Sequence, residues 1–313
     1  MKGLELSRAY FEAYGRKMLE EQFPEVMPYL AAGLAGSGSE CFGFDDEVST
    51  DHDYEPGFCL FLPPEDVVDR RTAFLLERAY AKLPKEFMGF SRPLIGPVGG
   101  NRTGVIRTGD FFTEKLGTPD GELTLRQWLT LPEQSLAEAV NGEIFFDHYG
   151  QLSRIREAVS FFPEDIRRKK LAWHLLLAAQ SGQYNYRRCL KHGETGAAQM
   201  AVFEFAENAM HVIFLLNRRY MPYYKWSFHA LRELPVLSFE AELAEYLITS
   251  GNDVNESEEK ISVIEGIAAD IIDELIGQGL TKAVCSDLEK HAYSVNDSIE
   301  DGELRNMHVL AAV

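Results

Sequence analysis

A short apolar run, Gly57-Phe58-Cys59-Leu60-Phe61-Leu62, follows a stretch of acids and stops at Pro63-Pro64. A run so short and so continuously apolar reads as a strand buried on both faces. Helix and strand patterns alternate around it. Leu4, Ala9, Tyr10, Tyr14 and Met18 recur at helical steps over 3–22. Pro63-Pro64-Glu65 opens a helix expected over about 65–82, and Thr103–Thr108 reads as a second strand. The pattern shifts near Thr118-Pro119-Asp120-Gly121, and from Leu123 onward the spacing is helical almost throughout, notably over 163–181, 196–218, 238–249 and 258–277. The expectation is an α+β chain. A small mixed-sheet domain spans 1–120, and an all-α domain, a helical bundle, spans 121–313.

The charge narrows the function. Among 313 residues, 49 acids face 31 Lys and Arg, for a net charge of −18. A protein that coats a nucleic-acid backbone needs the opposite balance, so no nucleic-acid partner is expected. No stretch approaches the run of about 18 apolar residues that spans a bilayer, so no membrane partner is expected. Cys41, Cys59, Cys189 and Cys285 form no C-x-x-C pair. They read as free thiols in a reducing cytoplasm.

The chemistry concentrates in Gly36-Ser37-Gly38-Ser39, then Asp51-His52-Asp53, then the apolar strand. Small residues let backbone N–H groups and a hydroxyl approach phosphate oxygens. Two carboxylates two positions apart on an extended segment point to one side, where they repel unless a hard cation such as Mg²⁺ lies between them. His52 then faces the other side. A phosphate cradle beside a carboxylate pair is the minimum equipment for phosphoryl or nucleotidyl transfer.

Gly38-Ser39 with Asp51-x-Asp53 resembles the signature of the nucleotidyltransferase superfamily, the DNA polymerase β-like fold. The longer string over 36–53, together with Gln183–Arg187, Phe214–Asn217 and Tyr220–Trp226, resembles a bacterial domain-of-unknown-function family within it. The layout is also similar to kanamycin-type nucleotidyltransferases. The resemblance implies NMP transfer from an NTP, with ATP the expected nucleotide, to a hydroxyl of a small-molecule acceptor. It assigns Gly36, Ser37, Gly38 and Ser39 to the triphosphate and Asp51 and Asp53 to Mg²⁺. A third carboxylate often completes such sites. Strand 103–108 carries Arg107 instead, and Asp110 is the nearest acid.

Arg102 and Arg107 flank the second strand and could stabilise triphosphate charge. Glu204, between Phe203 and Phe205, would suit a proton acceptor if burial raised its pKa. Tyr184, Asn217, Tyr223 and Lys225 belong to polar-aromatic clusters suited to an acceptor or a base, and the acceptor is expected between the two domains. Arg187 and His192 match a short ribonuclease-like spacing, which the charge and the upstream loop oppose. Three alternatives stay open: a nucleotide-binding regulator without catalysis, an enzyme that labels proteins, and a purely structural helical protein. A homodimeric assembly is a further expectation.

Overall fold

The computed structural model describes residues 1–51, 55–92 and 102–311, with Thr50 and Asp51 described by backbone alone. The chain is α+β and divides into two compact units that interleave in sequence. The first comprises 1–124 and 134–160, and the second 125–133 and 161–313. The sequence places a single boundary at 120. The difference lies in residues 134–160, which supply a strand to the first unit.

The first unit opens with α1 (Gly3–Tyr10), a π-turn (Phe11–Gly15) and α2 (Arg16–Gln22), one helical run over the span that the periodicity predicts. The glycine inside it has a packing reason, because a Cβ on Gly15 would lie 2.6 Å from the Phe58 ring. Next come β1 (Ala31–Leu34), α3 (Ser39–Phe42), β2 (Cys59–Leu62) and α4 (Arg70–Ala81). The fourth helix starts later than the expected residue 65. Asp69 caps it by accepting from the Thr72 N–H at 2.7 Å. A two-stranded hairpin, β3 (Glu86–Phe87) and β4 (Phe90–Ser91), precedes β5 (Gly104–Arg107) and α5 (Thr108–Leu116). The chain passes through α6 (Leu125–Thr130) of the second unit. It then forms α7 (Glu133–Val140), β6 (Glu143–Asp147) and α8 (Gln151–Ala158).

The four-stranded sheet has the order β5-β2-β1-β6. Strand β2 runs parallel to β5 and antiparallel to β1, and β1 is antiparallel to β6. All four residues of β2 are buried, as the apolar run requires. Phe58, Leu60 and Leu62 face a core built by Tyr10, Phe11, Leu19, Leu76 and Tyr80. Phe61 faces the other way and meets Phe111 of α5 edge-on at 5.4 Å. A helix thus covers each face of the strand. Strand β1 also requires a glycine. A Cβ on Gly33 would sit 2.4 Å from the Glu143 carbonyl, where the β1–β6 register shifts.

The second unit is helical: α9 (Glu164–Ala178), a π-helical turn (Ala179–Tyr186), α10 (Arg187–Lys191), α11 (Thr195–Leu216), α12 (Tyr224–Arg232), α13 (Glu240–Thr249), α14 (Val254–Gly277), α15 (Leu288–Asp297) and α16 (Gly302–Asn306). Thirteen residues of α11 are buried, so it is the central helix, and α9 and α13 pack against it. Helix α9 buries Arg167, Lys169 and Lys170. Their heads are not left bare. Lys169 Nζ, for example, donates to Asn296 Oδ1 at 2.9 Å and to the Met307 carbonyl at 2.7 Å.

Candidate functional site

The Gly36–Ser39 loop leaves the end of β1, a fully buried strand, and turns at once into α3. Gly36 and Gly38 have φ of 111° and 121°, a left-handed backbone that favours glycine. Three contacts fix the loop. Asn141 brackets Gly36: its Oδ1 accepts from the Gly36 N–H at 2.9 Å and its Nδ2 donates to the Gly36 carbonyl at 2.8 Å. The Gly142 N–H donates to the Cys41 carbonyl at 2.8 Å. Arg102 Nη1 donates to the Ser37 carbonyl at 3.1 Å and pairs with Glu40 Oε1 at 2.9 Å. This leaves Ser37 exposed and Ser39 half-buried.

Arg102 therefore stands at the loop. Arg107 has a different task. Its Nη1 donates to the carbonyls of Pro63 at 2.6 Å and Val68 at 2.7 Å, which ties β5 to the segment leading into α4. Asp51 ends a 3-10 turn (Val48–Asp51) ahead of β2 and is not on an extended strand. Asp53 and His52 lie outside the described residues, so the carboxylate pair is not described as a pair. Asp110 is exposed in the first turn of α5, one residue before Phe111, whose ring lies beneath Gly36. Glu204 and its neighbour Phe203 are both exposed on α11, so the burial invoked for Glu204 is absent.

The expected acceptor residues are spread through the second unit. Asn217 serves the backbone, donating to the Ile213 and Val236 carbonyls and accepting from the Val236 N–H. The Tyr223 and Tyr224 rings lie 4.2 Å apart at a 50° tilt, and Lys225 lies over the Trp226 ring at 5.0 Å; Tyr223 and Lys225 are both on the surface. Tyr184 lines an open cleft of about 570 Å³ with Gln180, Gln183, Glu265, Asp287 and Glu289.

A second polar cluster has no counterpart in the sequence reading. Glu133, His174 and His211, from three helices, bring their donor atoms within 4.8 Å of one another. His211 Nδ1 lies 3.0 Å from Glu133 Oε1, the Met221 N–H donates to Glu133 Oε2 at 2.9 Å, and His174 Nδ1 lies 2.8 Å from Asn208 Oδ1. Burial, reinforced by the neighbouring His211, drives the His174 pKa down to about 3, so this imidazole is neutral. Burial alone would raise the Glu133 pKa. His211 and the Met221 amide outweigh it and hold the carboxyl below its usual range.

Two histidines and a carboxylate form a set that binds zinc or iron. Two features oppose that role here. The imidazoles are stacked, with centroids 4.3 Å apart and planes 10° from parallel, so their in-plane lone pairs do not converge on one ion. The buried Lys170 ammonium already provides positive charge near Glu133. The cluster is a closed network within the second unit that joins Glu133 to α9 and α11. The only sequence signal for it was a histidine on each of two apolar helices, which is the ordinary appearance of a core histidine.

The family described as Domain of unknown function (DUF4037) matches residues 128–227, a stretch that contains the whole network. No curated protein matches the chain. Among solved structures, a nucleotidyltransferase-like protein from Exiguobacterium sibiricum 255-15 is similar at 14% identity and a TM-score of 0.35, over 85% of this chain and 77% of that one. Among the described residues, no helix is long and apolar enough to cross a membrane.

Proposed function

We propose that this chain is a Mg²⁺-dependent nucleotidyltransferase that moves NMP from an NTP, ATP in the first instance, to a hydroxyl of a small-molecule acceptor. The supporting observation is the loop itself. A strand ends in two left-handed glycines, the backbone turns into Ser39, and Arg102 lies against the turn. Such a turn gathers backbone N–H groups, a hydroxyl and a guanidinium in one place, the donors that a polyphosphate takes.

Gly38 and Ser39 would hold the β and γ phosphates, with Arg102 offsetting their charge. Asp51 and Asp53 would hold Mg²⁺, which when bound neutralises charge on the triphosphate. Of the two candidate proton acceptors, Asp110 is the better placed. It belongs to the helix that backs Gly36, whereas Glu204 is an exposed residue of the other unit. Arg107 is the weaker candidate of the two arginines, because its Nη1 already donates to two backbone carbonyls.

The test is thermal unfolding with each of the four NTPs, with and without Mg²⁺, on wild type and Asp51→Asn, because selective binding to the folded state raises Tm. A rise that needs Mg²⁺ and disappears in the variant is expected. Absence of any rise at millimolar nucleotide overturns the reading. Where nucleotide binds, an α-labelled NTP separates a transferase from a regulator that binds without transfer.

A further inference from the structure

The Arg102–Glu40 pair closes directly over Gly38. A Cβ built on Gly38 would lie 2.0 Å from Arg102 Nη1 and 2.6 Å from Glu40 Oε2. Both side chains are largely covered, at 21% and 12% exposure. The carboxylate therefore lies on the backbone that the phosphate reading needs, against the guanidinium that the phosphate reading needs. Carboxylate and phosphate are alternative partners for one guanidinium fork, and both are bound through parallel N–H···O bonds. Glu40 is also the first residue after Ser39, next to the hydroxyl assigned to the phosphates.

We propose that Glu40 is an internal anion that a polyphosphate must displace from Arg102, so that it acts as a specificity-determining residue of the loop. This rests on the phosphate-cradle reading and extends it. A single phosphate group gains one set of contacts and must break the Glu40–Arg102 pair to obtain them. A triphosphate reaches the loop N–H groups, the Ser39 hydroxyl and Arg102 at once, so it can offset the exchange. The pair then admits a chain of phosphates and turns away inorganic phosphate. With Arg102 released to a ligand, Glu40 must swing off Gly38, which uncovers the loop backbone only when a competent anion has arrived.

The probes are Mg·ATP and inorganic phosphate, titrated calorimetrically into wild type, Glu40→Gln, Arg102→Met and the double variant. An ion pair of this partial exposure corresponds to a change of up to about fivefold in Kd. Glu40→Gln should therefore bind Mg·ATP several-fold more tightly and gain measurable affinity for inorganic phosphate. In the Arg102→Met background, Glu40→Gln should change neither affinity, because the competition runs through Arg102. A gain that persists in that background would mean simple charge repulsion and overturn the proposal. So would equal affinity of wild type and Glu40→Gln for Mg·ATP, while leaving the cradle intact. If neither protein binds Mg·ATP, the cradle reading and this proposal fall together. Glu40→Ala, with Tm measured alongside, separates a misfolded variant from an unresponsive one.

Discussion

Asn141 holds Gly36 by both its amide hydrogen and its carbonyl, across more than a hundred residues of sequence. Two hydrogen bonds from one planar amide fix the orientation of a peptide unit, not merely its position. The loop at the end of β1 therefore takes its shape from the turn just before β6.

Replacing Asn141 with Ala removes both bonds and leaves a partly covered N–H and C=O unpaired. The expected cost is about 1–3 kcal/mol of stability, read as a lower denaturant midpoint. Nucleotide affinity should fall more steeply than stability does, because the glycines would sample other conformations. Unchanged Mg·ATP binding in Asn141→Ala would show that the bracket is not needed for the loop.

Glu133, His174 and His211 should respond as a network and not as a metal centre. Zinc or iron(II) added to the purified chain should leave Tm unchanged, and chelators should not lower it. Glu133→Gln should lose about 3 kcal/mol or more, the range for removing one partner from a buried charged set. The sign of the pH effect follows from the lowered Glu133 pKa. Its stabilisation is complete above the unfolded value of 4.5 and disappears as pH falls through the lower folded value. A metal-dependent rise in Tm would overturn this account of the stacked imidazoles.

Glu240 gives the opposite slope. It is buried, with Oε2 unpaired, and burial followed by the adjacent Asp270 raises its pKa to about 7. A raised carboxyl pKa favours the protonated fold, so stability is full below 4.5 and declines as pH rises toward 7. Glu240→Gln should remove that decline and stabilise the protein at pH 8 by about 1–3 kcal/mol. Denaturant midpoints measured at intervals between pH 5 and 8 would show it. Parallel profiles for the two proteins would refute the assignment.

The parts legible in the sequence were those with a local signature. The uninterrupted apolar residues of β2 announce a buried strand, and the alternating small residues of 36–39 announce a tight loop, whose positive φ at Gly36 and Gly38 only the structure shows. Helices α9, α11 and α14 show their spacing over many turns. Strand β6 was missed because Glu143-Ile144-Phe145-Phe146-Asp147 is half-buried throughout and short, lies between helices, and is defined by pairing with Ala31–Leu34 far upstream. Asn141 was missed for the same reason, since nothing near it foretells a bond to Gly36. For Arg107 the sequence shows the charge and not the two carbonyls that its Nη1 meets. Glu204 looked buried because its neighbours are apolar, yet Phe203 is itself exposed.

The placement of β6 governs the order in which the protein can be completed during synthesis. Until residue 147 has left the ribosome, β1 carries an open row of backbone donors and acceptors along the side that β6 will occupy. The second unit's first helix, α6, is made before that gap is closed. A nascent chain halted at the compositional break near residue 120 would thus hold a three-stranded sheet with an adhesive rim, a species prone to self-association. No single cut separates the two units: one near 120 removes β6 from the first, and one at 160 removes α6 and Glu133 from the second.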